Sequence, residues 1–413
     1  MLALPATGLL AQESLFEFDQ PAGFATPDTH TLGDYSVGFS HQSALELSDN
    51  INLLPDAAAE SGWAYTGNVK ASVTGKLLGS QLKGSVGVQY ITQSDFSRDN
   101  DNASLNLIAD LKLRSALNSK LVNLLSVGVE QDFANTSETI YLVRSSGTVT
   151  SQTIEDTLQF GLAPAWRAEL TGYARFEQYE ETERLDSASA SAAEQREEFE
   201  RENYALRTQL VREVGADSEF YGLAQLTHST GGAATLAALD QRSYALGFGL
   251  RHLKGATKYQ FELGYGEADT DQFTPSNGSA SQQSAVLGQV SIEHDFTSAL
   301  RFFATVNRQV SVDPIAVVTG QLVTDAVAHL QYSVTPNTYM SLRLEYPHIE
   351  VFDTDFAFRV PGLSARLGHR FNRQLNVEFR LKHEEQAVNA AASRAGFTEY
   401  TETEAKLMLN VYF

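Results

Sequence analysis

The strongest constraint on this chain is a period of two. From Gln374 to Lys382, the polar residues Gln374, Asn376, Glu378, Arg380 and Lys382 alternate with Leu375, Val377, Phe379 and Leu381. Successive side chains of an extended strand point to opposite faces, so this segment has one ionic and one apolar face. In residues 104–114, Leu105, Leu107, Ala109, Leu111 and Leu113 oppose Ser104, Asn106, Asp110, Lys112 and Arg114. In residues 340–346, Met340, Leu342, Leu344 and Tyr346 oppose Ser341, Arg343 and Glu345. Such repetition implies an all-β protein, in which the apolar faces meet either each other in a sandwich or lipid around a barrel.

The connections separate these two. Tight turns are predicted near Leu78-Gly79-Ser80, Leu117-Asn118-Ser119, Ala163-Pro164, Gly215-Ala216-Asp217, Lys254-Gly255, Thr297-Ser298, Pro336-Asn337 and Asn372-Arg373. Between them lie longer polar stretches at about 48–62, 94–102, 135–151, 181–198, 231–240, 268–282, 312–319, 350–357 and 387–399. Short turns at one end and long loops at the other are the pattern of a transmembrane antiparallel β-barrel. Nine loops and eight turns require 18 strands, with 16 as the neighbouring count if two weak strands near residues 135–165 are lost.

The last residues, Leu407-Met408-Leu409-Asn410-Val411-Tyr412-Phe413, close the chain on an alternating strand with a terminal aromatic. Leu407, Leu409, Val411 and Phe413 fall on one side, toward lipid, and Lys406, Asn410 and Tyr412 on the other. This ending resembles the carboxy-terminal signature of outer-membrane barrels, which implies recognition by the barrel assembly machinery. Trp63, Tyr65, Trp166, Tyr173, Tyr204, Tyr221, Phe302, Tyr346 and Phe379 fall in or near the predicted strands, where amphipathic rings suit the headgroup level.

Composition narrows the partners. A net charge of -21 without a cluster of Lys and Arg excludes a nucleic-acid surface. No apolar stretch approaches the roughly 18 residues of a membrane helix, which leaves strands as the means of crossing. The absence of cysteine suits passage through an oxidising periplasm. Residues 1–11 read as the remnant of a signal peptide, 12–32 as a periplasmic lead-in and 33–413 as the barrel. The expected surroundings are the lipid bilayer and lipopolysaccharide of a Gram-negative outer membrane.

Alternation also selects an inward-facing ionic set: Lys83, Arg114, Arg207, Arg301, Arg343, Glu345, Glu378, Arg380, Lys382, Glu404 and Lys406. An Arg or Lys facing lipid at mid-depth costs about 2–4 kcal/mol, so the lumen must hold these groups. Their mixed signs argue against strong ion selectivity. Either a wet pore or a salt-bridged, closed interior would accommodate them.

Other constellations carry less. The nine His are scattered without ligand spacing, so no metal site is expected, and no cofactor. Asp99, Asp101 and Asn102 resemble a fragment of a calcium loop but lack its glycine and distal Glu. His41 with Ser43, and His228 with Ser229, are the Ser–His neighbours an esterase would need, yet no G-x-S-x-G elbow accompanies them and no enzyme is expected. The segment EETERLDSASASAAEQREEFERE within Tyr179–Glu202 reads as a solvated acidic loop that could also form a short helix.

The segment SDNINLLP (Ser48–Pro55), followed by alternating strands through Asp132, resembles the β-barrel porin 2 family. Some members of that family are associated with exopolysaccharide secretion, so the resemblance implies an outer-membrane pore for diffusion or export, working with polysaccharide-export components. A non-conducting barrel whose long acidic loops dock a surface partner is the other expectation.

Overall fold

The computed structural model describes residues 29–50, 61–93, 103–118, 120–138, 143–184, 197–215, 217–232, 238–253, 255–273, 278–311, 321–351, 355–394 and 399–413. The first 28 residues and the Asp99–Asn102 motif therefore lie outside the described residues, as do most of Ser48–Pro55 and residues 185–196 of the acidic loop.

The strands are β1 (Thr29–Leu32), β2 (Tyr35–Ser48), β3 (Gly62–Leu77), β4 (Ser80–Gln93), β5 (Ala103–Asn118), β6 (Leu121–Glu138), β7 (Val143–Ala163), β8 (Trp166–Arg184), β9 (Glu197–Glu213) and β10 (Ser218–Gly232). They continue as β11 (Ala238–His252), β12 (Thr257–Phe273), β13 (Gly278–Asp295), β14 (Leu300–Ser311), β15 (Gln321–Thr335), β16 (Thr338–Val351), β17 (Ala357–Arg359), β18 (Gly362–Arg370), β19 (Leu375–Val388) and β20 (Tyr400–Tyr412), with one short helix, α1 (Ala390–Arg394), before β20. From β2 onward each strand pairs antiparallel with its sequence neighbour, and β20 returns to β2 from Ser40 opposite Tyr412 to Ser48 opposite Glu404. The sheet is therefore closed and has no long free edge.

β17 and β18 share a single place in the wall. Both pair with β16, through His348 opposite Arg359 and through Thr338 opposite His369, and both pair with β19. The interruption falls at Val360-Pro361, where proline has no N–H to give the ladder. Counting the two as one gives a closed barrel of 18 strands.

The eight tight turns join the strands at one end, as their residues demand. Between β3 and β4, Leu78 and Gly79 both have positive φ (51° and 85°), the conformation of a two-residue hairpin whose twist matches its strands. Two of the predicted long loops are corrected. The stretch 135–151 is mainly ladder, with Asn135 opposite Ser146 and Glu138 opposite Val143. Likewise 268–282 is ladder from Ala268 opposite Gln283 to Phe273 opposite Gly278. A strand that projects beyond lipid has no apolar face to maintain, so its sequence loses the period-two signal while its backbone stays paired.

Two features trim the ends. At the turn end, β1 folds back on β2 through Gly33 (φ 64°), pairing Thr29–Leu32 with Tyr35–Gly38. It covers the part of β2 that β20 does not reach, since the backbones of Phe39 and Phe413 already bond to each other (Phe413 N to Phe39 O, 2.8 Å). At the loop end, Asn389 caps α1 by accepting from the Ala392 N–H (2.9 Å). Ala392 then completes a buried apolar cluster with Val323, Ile349, Val351 and Phe358, on the inward side of the wall.

Candidate functional site

Alternation sorts the side chains into two surfaces. Outward, large apolar residues recur along most of the long strands, including Leu45 and Leu47, Leu105 and Leu107, Leu206 and Leu210, Leu246 and Phe248, Phe261 and Leu263, and Leu342 and Leu344, all exposed. An exposed apolar belt of this extent is unusual for a surface in water. Inward, the buried set is polar: Glu169, Glu177, Arg201, Asn203, Arg207, Gln209, Gln225, Arg251, Gln260, Glu262, Glu293, Asn376, Glu378 and Glu404 among others. The usual rule for a water-soluble protein is inverted.

Over most of the wall the inward charges are paired. Arg167 donates to Glu169 (2.7 Å) and to both oxygens of Glu219 (2.6 and 2.9 Å), and Arg251 reaches Glu219 from the far side (2.5 Å). Arg207 donates to Glu262 (3.0 Å), and Arg201 lies 3.1 Å from Glu177. Lys258 and Arg301 share Glu293, and Arg301 also donates to Asp295. Arg343 pairs with Glu345, Arg380 with Glu404, Lys382 with Glu384 and Lys406 with Glu46. Buried ions need such partners, because desolvating one alone costs several kcal/mol.

Two register rows share one device. Tyr221, Gly249 and Glu262 lie directly opposite one another on β10, β11 and β12, and Tyr339, Gly368 and Glu378 do so on β16, β18 and β19. In each row the tyrosine ring lies over the glycine, where a side chain would occupy the same space. Its hydroxyl donates to the glutamate beyond, at 3.0 Å for Glu262 and 2.8 Å for Glu378. Arg251 covers the Tyr221 ring at 5.3 Å, and Arg366 lies 3.8 Å from Glu378. Glycine here serves close approach, since only a residue without Cβ lets the ring lie flat across the strand.

A cavity of about 1110 Å³ is lined mainly by inward residues of β3 to β9, together with Asp34. Lys76, Lys83, Lys112 and Arg114 form its β3–β5 wall, while Glu155, Glu169 and Arg207 lie on the facing part. Lys83 is directly opposite Lys112, and Arg114 is opposite Gln81, which in turn is opposite Lys76.

Of the residues singled out by alternation, Lys83 and Arg114 line this cavity; Arg207 does so while bonded to Glu262. Arg301, Arg343, Glu345, Glu378, Arg380, Lys382, Glu404 and Lys406 belong to the paired part of the wall. Sequence reasoning missed Arg167, Glu169 and Glu219, whose strands carry small outward residues such as Ala168, Gly222 and Ala224 that weaken the alternation, and it also missed Arg251 and Glu262, which Leu250 and the Phe261–Leu263 pair flank in strict alternation. Two aromatics predicted for the outer girdle are corrected. Tyr221 is fully buried in the lumen, and Tyr173 shares that face with Glu169 and Glu177. The hydroxyl of Tyr221 requires a polar partner, which Glu262 supplies. Leu407, Leu409 and Phe413 are exposed on the outer face, and Val411 shares their parity.

The Ser–His neighbours separate. Ser43 Oγ lies 2.7 Å from His41 Nε2 on the outer face, with the Tyr65 hydroxyl 3.3 Å from Ser43, and no carboxylate touches His41 among the described residues. His228 bonds to Asp240 (2.9 Å) on the outer face, whereas Ser229 is buried on the inner one. Among the described residues no three potential ligands gather around a metal position.

Fold and lumen together define a closed antiparallel barrel with an apolar outer surface and an ionic interior. No protein-family model matches the chain, so the likeness of Ser48–Pro55 to the β-barrel porin 2 family remains local, and no curated protein matches it. Among solved structures the chain is similar to the FrpB iron transporter of Neisseria meningitidis in its apoprotein form (8 % identity, TM-score 0.48, covering 91 % of this chain and 81 % of that one). It is also similar to OccAB3 of Acinetobacter baumannii (10 % identity, TM-score 0.47, 92 % and 100 % covered) and to OccK11 of Pseudomonas aeruginosa (13 % identity, TM-score 0.43, 95 % and 98 % covered). Likeness at this level leaves the function to be read from the barrel itself.

Proposed function

We propose that this chain is an outer-membrane barrel of a Gram-negative bacterium that gives small hydrophilic solutes a passive path across the membrane. The observation that carries this reading is the pairing of a continuous apolar exterior with a charged interior containing a cavity of about 1110 Å³. Lipid stabilises the outer belt at about 25 cal/mol per Å² of apolar area removed from water, and it would penalise the same charges if the faces were exchanged. The turn end then faces the periplasm and the loop end the exterior, beside lipopolysaccharide. Leu407, Leu409, Val411 and Phe413 serve as the signal read by the barrel assembly machinery during insertion.

The finer reading of the cargo is carbohydrate, either diffusing inward or exported as exopolysaccharide in concert with export components. It is supported by the local resemblance of Ser48–Pro55 and by the Gln, Asn, Ser and Thr that accompany the charges inside. A second reading, a non-conducting structural barrel, is favoured by one observation. The Val323–Ile349–Phe358–Ala392 cluster and the paired charges crowd the inner face of β15 to β20.

Single-channel recording in a planar bilayer separates the two, with a heat-modifiable gel shift certifying the folded barrel. Discrete conductance steps support the path. A folded barrel that stays silent at every voltage sinks it and leaves the structural role.

A further inference from the structure

The ladder between β13 and β14 stops at Gly288 opposite Arg308, although both strands continue. β13 runs on beside β12 as far as Gly278 opposite Phe273, and β14 runs on beside β15 as far as Ser311 opposite Gln321. Their ends then lie in different layers. Val310 and Leu322 are directly opposite each other and share the parity of Val306 and Leu330, which are exposed on the outer face. Leu322 is nevertheless buried, in a cluster with Ala268 and Leu287 that Ala245, Ala285 and Val310 extend. Ala245, Ala268, Ala285 and Leu287 have inward parity, because Tyr244, Tyr265 and Val286, of the opposite parity on the same strands, are exposed. An outward face packed on an inward face means that the wall overlaps itself, with the ends of β14 and β15 inside the barrel mouth. Gln309 and Val310 reach as far as Gln225, Thr227 and Ser243 on β10 and β11, with which they border a small gap.

The overlapping segment is apolar on both sides. Val323, of inward parity, joins Ile349, Val351, Phe358 and Ala392 of α1 in the cluster already described. Leu322 and Val323, consecutive and both buried, suit a strand covered on both faces, which a simple barrel wall does not require. The alternation also suits a second arrangement. Continuing the β13–β14 register would place Gln309 opposite Leu287, Val310 opposite Val286 and Ser311 opposite Ala285. Val310 would then stand in the outer row beside Val286, Gln309 would stand in the inner row, and two strand edges would close into one ladder. Apolar burial takes the place of those ladder bonds in the overlapped arrangement. A segment with two such self-consistent packings is the element a switch needs. We infer that the loop-end segment of β14 and β15 is a gate: overlapped on β11 to β13 it narrows the mouth, and zipped onto β13 it widens it. This inference rests on the proposed passage and specifies what regulates it.

The chain has no cysteine, so engineered pairs report without background. In the intact barrel refolded into vesicles, Ala268→Cys/Leu322→Cys joined by a short bismaleimide captures the overlap. Val286→Cys/Val310→Cys joined by oxidation captures the zipped ladder, in which the two residues stand directly opposite. Both cross-links should form in a folded, heat-modifiable barrel. In planar bilayers the bismaleimide-locked form should conduct about threefold less than its unmodified parent or lower still, and the zipped disulfide should hold the larger conductance until it is reduced. Leu322→Ser, which weakens the overlap, should raise the yield of the zipped disulfide severalfold. Capture of the overlap alone, or of the zipped pair alone, overturns the inference, as does an equal, open conductance of the two locked forms. If both cross-links form in a barrel that never conducts, the movement stands and the passage fails.

Discussion

Gly249→Ala should be among the most damaging single-methyl additions in this barrel. A Cβ on Gly249 would lie 2.7 Å from Cε2 of Tyr221 and nearer still to Cζ and Oη, and all three nearest atoms belong to that ring. Tyr221 is fully buried, so the ring must shift rather than swing into water. Overpacking of this kind costs about 1–3 kcal/mol. Moving the ring also pulls its hydroxyl from Glu262, 3.0 Å away, and a hydrogen bond to a charged group contributes about 1.5–3 kcal/mol. Arg207 still holds Glu262 at 3.0 Å, which softens the second loss, so the expected total is about 3–4 kcal/mol. Equilibrium denaturant unfolding in lipid vesicles, scored by the heat-modifiable gel shift, measures it. Gly222→Ala, at a glycine with nothing within 4 Å, is the matched control and should cost under about 1 kcal/mol. In a Tyr221→Ala background there is no ring to displace, and the Gly249→Ala cost should fall to about 0.5 kcal/mol or less. A cost below about 1 kcal/mol in the wild type, or an undiminished cost in the Tyr221→Ala background, would refute the argument.

Other perturbations follow from the same two surfaces. Leu246→Arg, on an outward residue midway along β11, should cost about 2–4 kcal/mol in vesicle unfolding, whereas Gln81→Arg in the cavity wall should cost under about 1 kcal/mol; equal costs would contradict the inside–outside assignment. Arg251→Ala strips one partner from Glu219 and the cover from Tyr221, so a loss of about 3 kcal/mol is expected, against a neutral or slightly stabilising Lys83→Gln that relieves the repulsion with Lys112. Deleting Phe413 removes an exposed aromatic and its backbone bonds to Phe39, and should slow folding into vesicles and lower the assembled fraction in cells; an unchanged yield would remove this residue from the assembly signal.

Much of the barrel was legible because lipid imposes a strict rule on one face of each strand. The run from Gln374 to Lys382 announces β19, and the turns at Leu78-Gly79 and Asn372-Arg373 announce the β3–β4 and β18–β19 hairpins, since each depends only on residues adjacent in sequence. The rule lapses where strands leave the bilayer. There 135–151 and 268–282 read as loops although hydrogen bonds hold them as ladder, because both faces are wet and no residue type is demanded. It is also silent on what happens across the lumen.

Alternation alone determined that Lys83, Arg114, Arg207 and Glu378 share the inner face, because parity along a strand is a local property. Which of them meet was decided by closure. The register of eighteen strands brings Tyr221 over Gly249 to Glu262, joins Arg251 to Glu219, and leaves Lys76, Lys83 and Arg114 facing open volume. Those relations span tens of residues in sequence and a few ångströms in space, and only a closed sheet converts the one separation into the other.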